Sequence, residues 1–245
     1  MRVEIYVQAR MGSTRLPGKI MMKVIDKPLL GYELERLQQC KEADSIVVLT
    51  TTDSADNVVV GYCKENMIDC LRGSTEDVLD RYYQTAIVRK PDIIVRITGD
   101  CPLIDPEIID QVIVFFKSHS YDYVSNGIER TYPRGLDVEV FSFKALELAW
   151  KHAKRTEERE HVTPFIYRNP ELFLIKNLSL DPPQDGHRWT VDTADDFNLV
   201  RLILEALYPE NKNFRMSDVL ELMEKHPDWI KINAHIEQKT LPPLT

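Results

Sequence analysis

The densest chemistry in the sequence lies in Gln8-Ala9-Arg10-Met11-Gly12-Ser13-Thr14-Arg15-Leu16-Pro17-Gly18-Lys19, where two glycines, two hydroxyls and three cations fall between Arg10 and Lys19. Glycine lets a backbone approach a ligand and present its amides. Arg10, Arg15 and Lys19 offer charge-assisted donors that suit phosphate oxygens. With Gly12, Ser13 and Gly18 they predict a cradle for a triphosphate. The stretch is neither a Walker A loop, since Ile20 follows Gly18-Lys19 and the glycines are one residue too far apart, nor a GxGxxG turn. The alternative is a surface turn with solvated cations.

Two aspartates stand out next. Asp100 follows a β-branched run, with Gly99 before it and Pro102 ending the extension, so its carboxylate is expected to face a cleft. A hard cation such as Mg²⁺ takes one or two protein carboxylates, with phosphate and water completing its shell. A turn aspartate bonded to its own backbone is the competing reading. Asp192 precedes Thr193-Ala194-Asp195-Asp196, which reads as a helix start with Thr193 and Asp196 as a capping box. That leaves Asp192 just outside the helix, delivered by the strand-like Arg188-Trp189-Thr190-Val191, unless capping is its whole role.

These groups need elements to position them. Val3–Val7, Ile46–Thr50 and Ile93–Thr98 read as short strands, and Leu30, Leu34 and Leu37 share a helical face, as do Val78, Leu79, Tyr82, Tyr83 and Ala86. Pro28 fits a first helical turn, and Ser74-Thr75-Glu76-Asp77 resembles a capping box. The alternation predicts an α/β fold with a mainly parallel central sheet flanked by helices. In such sheets ligands collect beyond the carboxyl ends of the strands. Beyond residue 120 the pattern changes: Val138–Phe141 reads as a strand, Phe143–Lys154 and Glu157–Tyr167 as helices, and Phe173–Leu180 as extended. Helices at Ala194–Tyr208 and Met216–Lys225 follow, then a loose tail over Leu241–Thr245. Residues 1–245 are read as one domain, with a nucleotide-binding half to about 120 and an acceptor half to about 200.

With 245 residues, 43% hydrophobic, the chain can bury a large core. No apolar run approaches the ~20 residues that span a bilayer, and Met1–Val7 reads as a first strand rather than a signal peptide. Cys40, Cys63, Cys70 and Cys101 lack metal-ligand spacing and suit a reducing compartment, so the cytoplasm is expected. The net charge of −8, with no long basic run, argues against nucleic acid as a partner.

The pattern AR-x-GSTRLPGK, followed by Asp26-Lys27-Pro28-Leu29-Leu30, resembles the opening signature of cytidylyltransferases of the spore-coat polysaccharide SpsF type, relatives of CMP-ketodeoxyoctonate and CMP-sialate synthetases. The likeness continues through Leu71–Arg81, Thr98–Leu103, Arg134–Val140, Arg159–Pro164 and Arg188–Thr193. It implies a nucleotide-diphospho-sugar transferase (GT-A-like) fold, CTP with Mg²⁺ or Mn²⁺, and a homodimer. It further implies that Arg10, Ser13, Arg15 and Lys19 hold the triphosphate, that Ala9 and Arg72 lie near the base with Ser74 also on the nucleotide, and that Asp100 and Asp192 hold the metal. Lys19, Arg15 and Asp100 would then be the catalytic groups. Arg134, Asp137 and Glu139 would line the acceptor pocket, offering a cation to an acidic substrate and carboxylates to its hydroxyls, unless the two acids face solvent on an edge strand. Glu160 and His161 are further acceptor candidates, with a structural histidine as the alternative for His161.

No nucleophilic dyad or GxSxG elbow is legible. The reaction expected is direct attack by an acceptor oxygen on the α-phosphorus of CTP, with pyrophosphate leaving and the product feeding surface polysaccharide synthesis. A glycosyltransferase on the same fold and a non-catalytic nucleotide-binding protein are the alternatives. Gly99-Asp100-Cys101 makes a poor DxD motif, and three cations suit a triphosphate better than a diphosphate.

Overall fold

The computed structural model describes residues 1–238, so the expected loose tail at 241–245 lies outside the described residues. In chain order the elements are β1 (Val3–Gln8), β2 (Lys23–Val24), β3 (Lys27–Pro28), α1 (Leu29–Leu37), β4 (Ser45–Thr51), α2 (Asn57–Glu65), β5 (Asp69–Gly73), α3 (Val78–Arg89), β6 (Ile93–Thr98) and α4 (Pro106–Lys117). They continue with β7 (Tyr123–Ser125), β8 (Glu139–Ser142), α5 (Phe143–His152), α6 (Thr156–His161), α7 (Pro164–Tyr167), β9 (Ile175–Asn177), α8 (Ala194–Leu207) and α9 (Met216–Lys225). The main sheet runs β5-β4-β1-β6-β8-β7-β9. Its first four strands are parallel; β8 is antiparallel to both β6 and β7, and β9 is parallel to β7.

Strand alternation sends Val3, Ile5 and Val7 of β1 to one face and Tyr6 to the other. On the first face pack α1, α2, α4, α8 and α9; on the second pack α3, α5 and the residues around α6 and α7. Glu4, an acid inside the first apolar run, is fully buried and is held by Arg2 at 2.6 Å, Ser45 at 2.9 Å and Arg89 at 3.1 Å.

Three local expectations are revised and one alternative is removed. Pro28 stands just outside α1 as its N-cap, in extended backbone. Ser74 does not cap α3; Asp77 does, its carboxylate accepting the Asp80 amide at 2.8 Å, while Ser74 Oγ accepts the Asp77 amide at 3.0 Å. The single helix expected over Glu157–Tyr167 divides into α6 and α7, because Val162 takes φ 73° and Pro164 cannot continue the preceding ladder. Glu139 sits on β8 between β6 and β7, so it does not lie on an edge strand.

Candidate active site

The carboxyl ends of β1, β4, β5 and β6 meet along one edge of the sheet. Ala9 N donates to Leu49 O at 3.0 Å, and Gly99 N donates to Gln8 O at 2.9 Å. At Gly99 the requirement is packing rather than an unusual backbone, since an added Cβ would stand 3.0 Å from both Ala9 Cβ and Gln8 O. The loop after β1 is anchored by Asp56, a residue the sequence reading missed: its carboxylate accepts Met11 N at 2.7 Å and Thr51 N at 3.0 Å. Gly18 closes the loop in the left-handed region, φ 70°, with its amide on Met11 O at 3.0 Å. The amides of Gly12, Thr14 and Arg15 make no hydrogen bond among the described residues.

Around that loop, Arg10 is exposed and reaches Thr75 O at 3.4 Å. Ser13 Oγ accepts Leu16 N at 3.4 Å. Arg72 is engaged on three sides, donating to Thr51 O at 2.7 Å, Asp53 O at 2.6 Å and Asn57 Oδ1 at 2.8 Å, so it fastens the ends of β4 and β5 together. Ser74 O accepts Arg81 Nε at 2.9 Å.

Two carboxylates converge on one ammonium. Lys19 Nζ lies 2.7 Å from Asp100 Oδ2 and 2.8 Å from Asp192 Oδ1, and Arg15 and Arg188 each bind Asp192 Oδ2 at 2.8 Å. Arg188 also binds Asp196 at 2.9 Å; Asp196 caps α8 through Thr193 as its sequence indicated, and it accepts Asn233 Nδ2 at 2.8 Å. Burial alone would pull the Lys19 ammonium down, but Asp100 and Asp192 outweigh it and hold its pKa above the ordinary value. Burial likewise pushes Asp192 up, yet Lys19, Arg15 and Arg188 bring it below the usual carboxylate range. Thr98 Oγ1 orients Asp100 from its other oxygen at 2.7 Å. Asp100 and Asp192 therefore present hard carboxylate oxygens to a shared cation, a donor set that fits Mg²⁺ or Mn²⁺ completed by phosphate and water. No cluster of three or more metal-ligating His, Cys, Asp or Glu residues occurs among the described residues.

From this pair a cleft of about 790 Å³ runs across β6, β7 and β8. Arg15, Asp100 and Asp192 line it together with Arg134, Asp137, Glu139, Glu160 and His161. Glu139 is committed at the cleft bed: it pairs with Arg96 and accepts Tyr123 OH at 2.6 Å and the Thr163 hydroxyl. Asp137 pairs with Arg130 and accepts the Gly135 amide at 3.0 Å. Arg134 differs, since its guanidinium has no hydrogen bond or salt bridge among the described residues; burial and the neighbouring Arg130 hold it below the ordinary guanidinium value. Burial within the cleft also lowers the His161 imidazole. Arg96 is the cleft residue most open to earlier detection, because a charge inside the β-branched run Ile93–Thr98 signals a buried ion pair.

An α/β sheet with a loop rich in glycine and cations, paired carboxylates and an adjoining cleft is an arrangement suited to a nucleotidyltransferase. The chain belongs to the cytidylyltransferase family, whose profile matches residues 5–218. It is 40% identical over 244 residues to "Uncharacterized protein MJ1063" of Methanocaldococcus jannaschii, covering 98% of both chains. It is 31% identical over 233 residues to "Spore coat polysaccharide biosynthesis protein SpsF" of Bacillus subtilis, covering 91% of this chain and 94% of that one. The solved cytidylyltransferase of Leptospira borgpetersenii superposes with a TM-score of 0.90 at 35% identity, over 98% of this chain and all of that one. The structure of CMP-2-keto-3-deoxy-manno-octonic acid synthetase in complex with CTP shares the fold, with a TM-score of 0.66 at 16% identity over 84% and 99% of the two chains. Family membership sets aside the glycosyltransferase and non-catalytic readings. Among the described residues no helix is long and apolar enough to cross a membrane.

Proposed function

We propose that the protein transfers a cytidylyl group from CTP to a small sugar acid and releases pyrophosphate, in the cytoplasm, as a step toward a surface polysaccharide. The observation that carries this reading is the convergence of Asp100 and Asp192 on Lys19, beside Arg15 and the unbonded amides of the first loop, at the mouth of a cleft that holds an uncommitted Arg134. The triphosphate lies along the loop from Gly12 to Lys19, with Arg10 and Arg15 against its oxygens and the nucleoside toward Ala9, Arg72 and Ser74. Asp100 and Asp192 would hold Mg²⁺ or Mn²⁺, which would supply positive charge against the phosphate oxygens. The ammonium of Lys19 binds the same carboxylate oxygens that would hold the ion, and it would pair with the triphosphate oxygens.

Arg134 pairs with the acceptor carboxylate, and Asp137, Glu160 and His161 face its hydroxyls. This places an acceptor oxygen in line with the α-phosphorus; the P–O bond to the pyrophosphate breaks as the new one forms, and Arg15 and Lys19 stabilise the departing charge. Pyrophosphate release, measured for CTP, UTP, GTP and ATP against sugar acids, sugar phosphates and phosphonates with and without Mg²⁺, tests the reading. Release confined to CTP, a sugar acid and metal supports it; release with a sugar phosphate alone overturns the acceptor assignment.

A further inference from the structure

Helix α1 carries two buried ionisable residues nearly one turn apart, Glu33 at 0% and Arg36 at 2% exposure. Both are aimed at the segment that bears Asp100. Arg36 donates to Ile104 O at 2.6 Å and to Phe214 O at 2.8 Å, its guanidinium lying 4.0 Å from the centre of the Phe214 ring. Glu33 Oε2 accepts the Cys101 amide at 3.3 Å, while Glu33 Oε1 has no partner among the described residues.

A buried carboxyl with an unpaired oxygen is costly, and a hydrophobic side chain of similar volume is often the more stable occupant of such a place. The surrounding face of α1, with Leu29, Leu30, Leu34 and Leu37 in the core, is apolar. The group is therefore poorly explained by stability. What it does is hold one amide in the turn that follows Asp100, a turn also fixed by Asp100 N on Thr98 O at 2.8 Å and Ile104 N on Cys101 O at 3.0 Å. A carboxylate that must meet a second carboxylate from a distant strand end needs its backbone fixed to within a fraction of an ångström, and groups behind a ligand commonly supply this.

We propose that Glu33 is a positioning residue for the cation site: by accepting the Cys101 amide it fixes the neighbouring Asp100 carboxylate in the direction of Asp192. The inference rests on the reading of Asp100 as a metal carboxylate. Glu33 acts through the backbone and touches no substrate. Burial and the charge of Asp100 hold its carboxyl well above the usual range, so glutamine is the conservative replacement in both charge and shape.

The test compares wild type, Glu33→Gln, Glu33→Leu and Glu33→Met by two readouts: Mn²⁺ affinity in saturating CTP, from the electron-paramagnetic signal of free Mn²⁺, and thermal unfolding of the metal-free protein. Glu33→Gln keeps an acceptor for Cys101 and stays within about threefold of wild type, whereas the apolar variants lose about 10- to 100-fold in Mn²⁺ affinity, the range found when groups behind a ligand are removed. Their metal-free Tm is unchanged or higher, opposite to the effect of a purely structural residue. Wild-type Mn²⁺ affinity in the apolar variants, a loss in Glu33→Gln equal to theirs, or a Tm that falls with the affinity would each overturn the proposal. Absence of Mn²⁺ binding in wild type would overturn the metal reading itself, before any variant is compared.

Discussion

The main-chain carbonyl of Asp100 accepts the Val191 amide at 2.9 Å, so the two carboxylates that share Lys19 are joined through one backbone hydrogen bond although more than a third of the chain separates them in sequence. The spacing of the pair is thus a property of the sheet edge and of the segment before α8, not of flexible side chains. Substitutions that keep this backbone contact should act on chemistry alone.

Asp100→Asn retains the shape and the backbone contact and removes the charge. Turnover should fall by about 10²-fold or more, the scale on which loss of a preorganised electrostatic group acts, while CTP affinity changes little. Pyrophosphate release paired with equilibrium binding of CTP checks this, and a variant as active as wild type would refute the metal role of Asp100.

Arg134→Met should cost little stability, because the guanidinium is unpaired and its charge is already disfavoured where it sits. An acceptor carboxylate relieves that cost, and a hydrogen bond to a charged group contributes about 1.5–3 kcal/mol. The KM for the acidic acceptor should rise roughly 10- to 100-fold, with the KM for CTP unmoved. An unchanged acceptor KM removes Arg134 from the pocket.

Asp56 gives the pH dependence of the loop that follows β1. Burial alone would raise its carboxyl; hydrogen bonds from the Met11 amide and from Thr51 outweigh burial and hold it below the ordinary carboxylate value. A depressed folded pKa stabilises fully above the unfolded value, about 3.9, and the stabilisation disappears as pH falls through the folded value. The gap in Tm between wild type and Asp56→Asn should therefore be widest near neutrality and close below about pH 4; calorimetric scans that stay parallel through that range would show that Asp56 does not carry the effect.

Chelation should leave the fold intact. Lys19, Arg15 and Arg188 already neutralise the carboxylate pair, so EDTA is expected to leave the wild-type Tm unmoved. In Lys19→Met the acids lose their shared ammonium, Tm should drop, and Mg²⁺ should restore about 2–4 °C for each kcal/mol of binding. A wild-type Tm that collapses in EDTA would make the metal structural.

The parallel strands were legible because β1, β4 and β6 are β-branched runs between helical stretches, and the α8 cap was legible because Thr193 and Asp196 meet within one turn. Ser74 misled for a related reason: Asp77 lies three positions on in the same local pattern and takes the cap itself. Pro164 and the strained Val162 divide a helix that periodicity alone joins, and the proline was the available warning. Asp56, Glu33 and Asn233 could not be read as support, since Met11, Cys101 and Asp196 become their neighbours only through the fold, whereas Arg188 lies only four residues before Asp192 in sequence. Local chemistry identified the groups at the ends of the strands; the groups that brace them depend on distant contacts.

Asn233 donates to Arg188 O at 2.9 Å as well as to Asp196, and Gln238 accepts from Arg188 at 2.6 Å. The brace behind Asp192 therefore includes residues that follow α9, the last α-helix to cover the first sheet face. A nascent chain halted before position 233 could bury most of its core while one of its two acids still lacked full support.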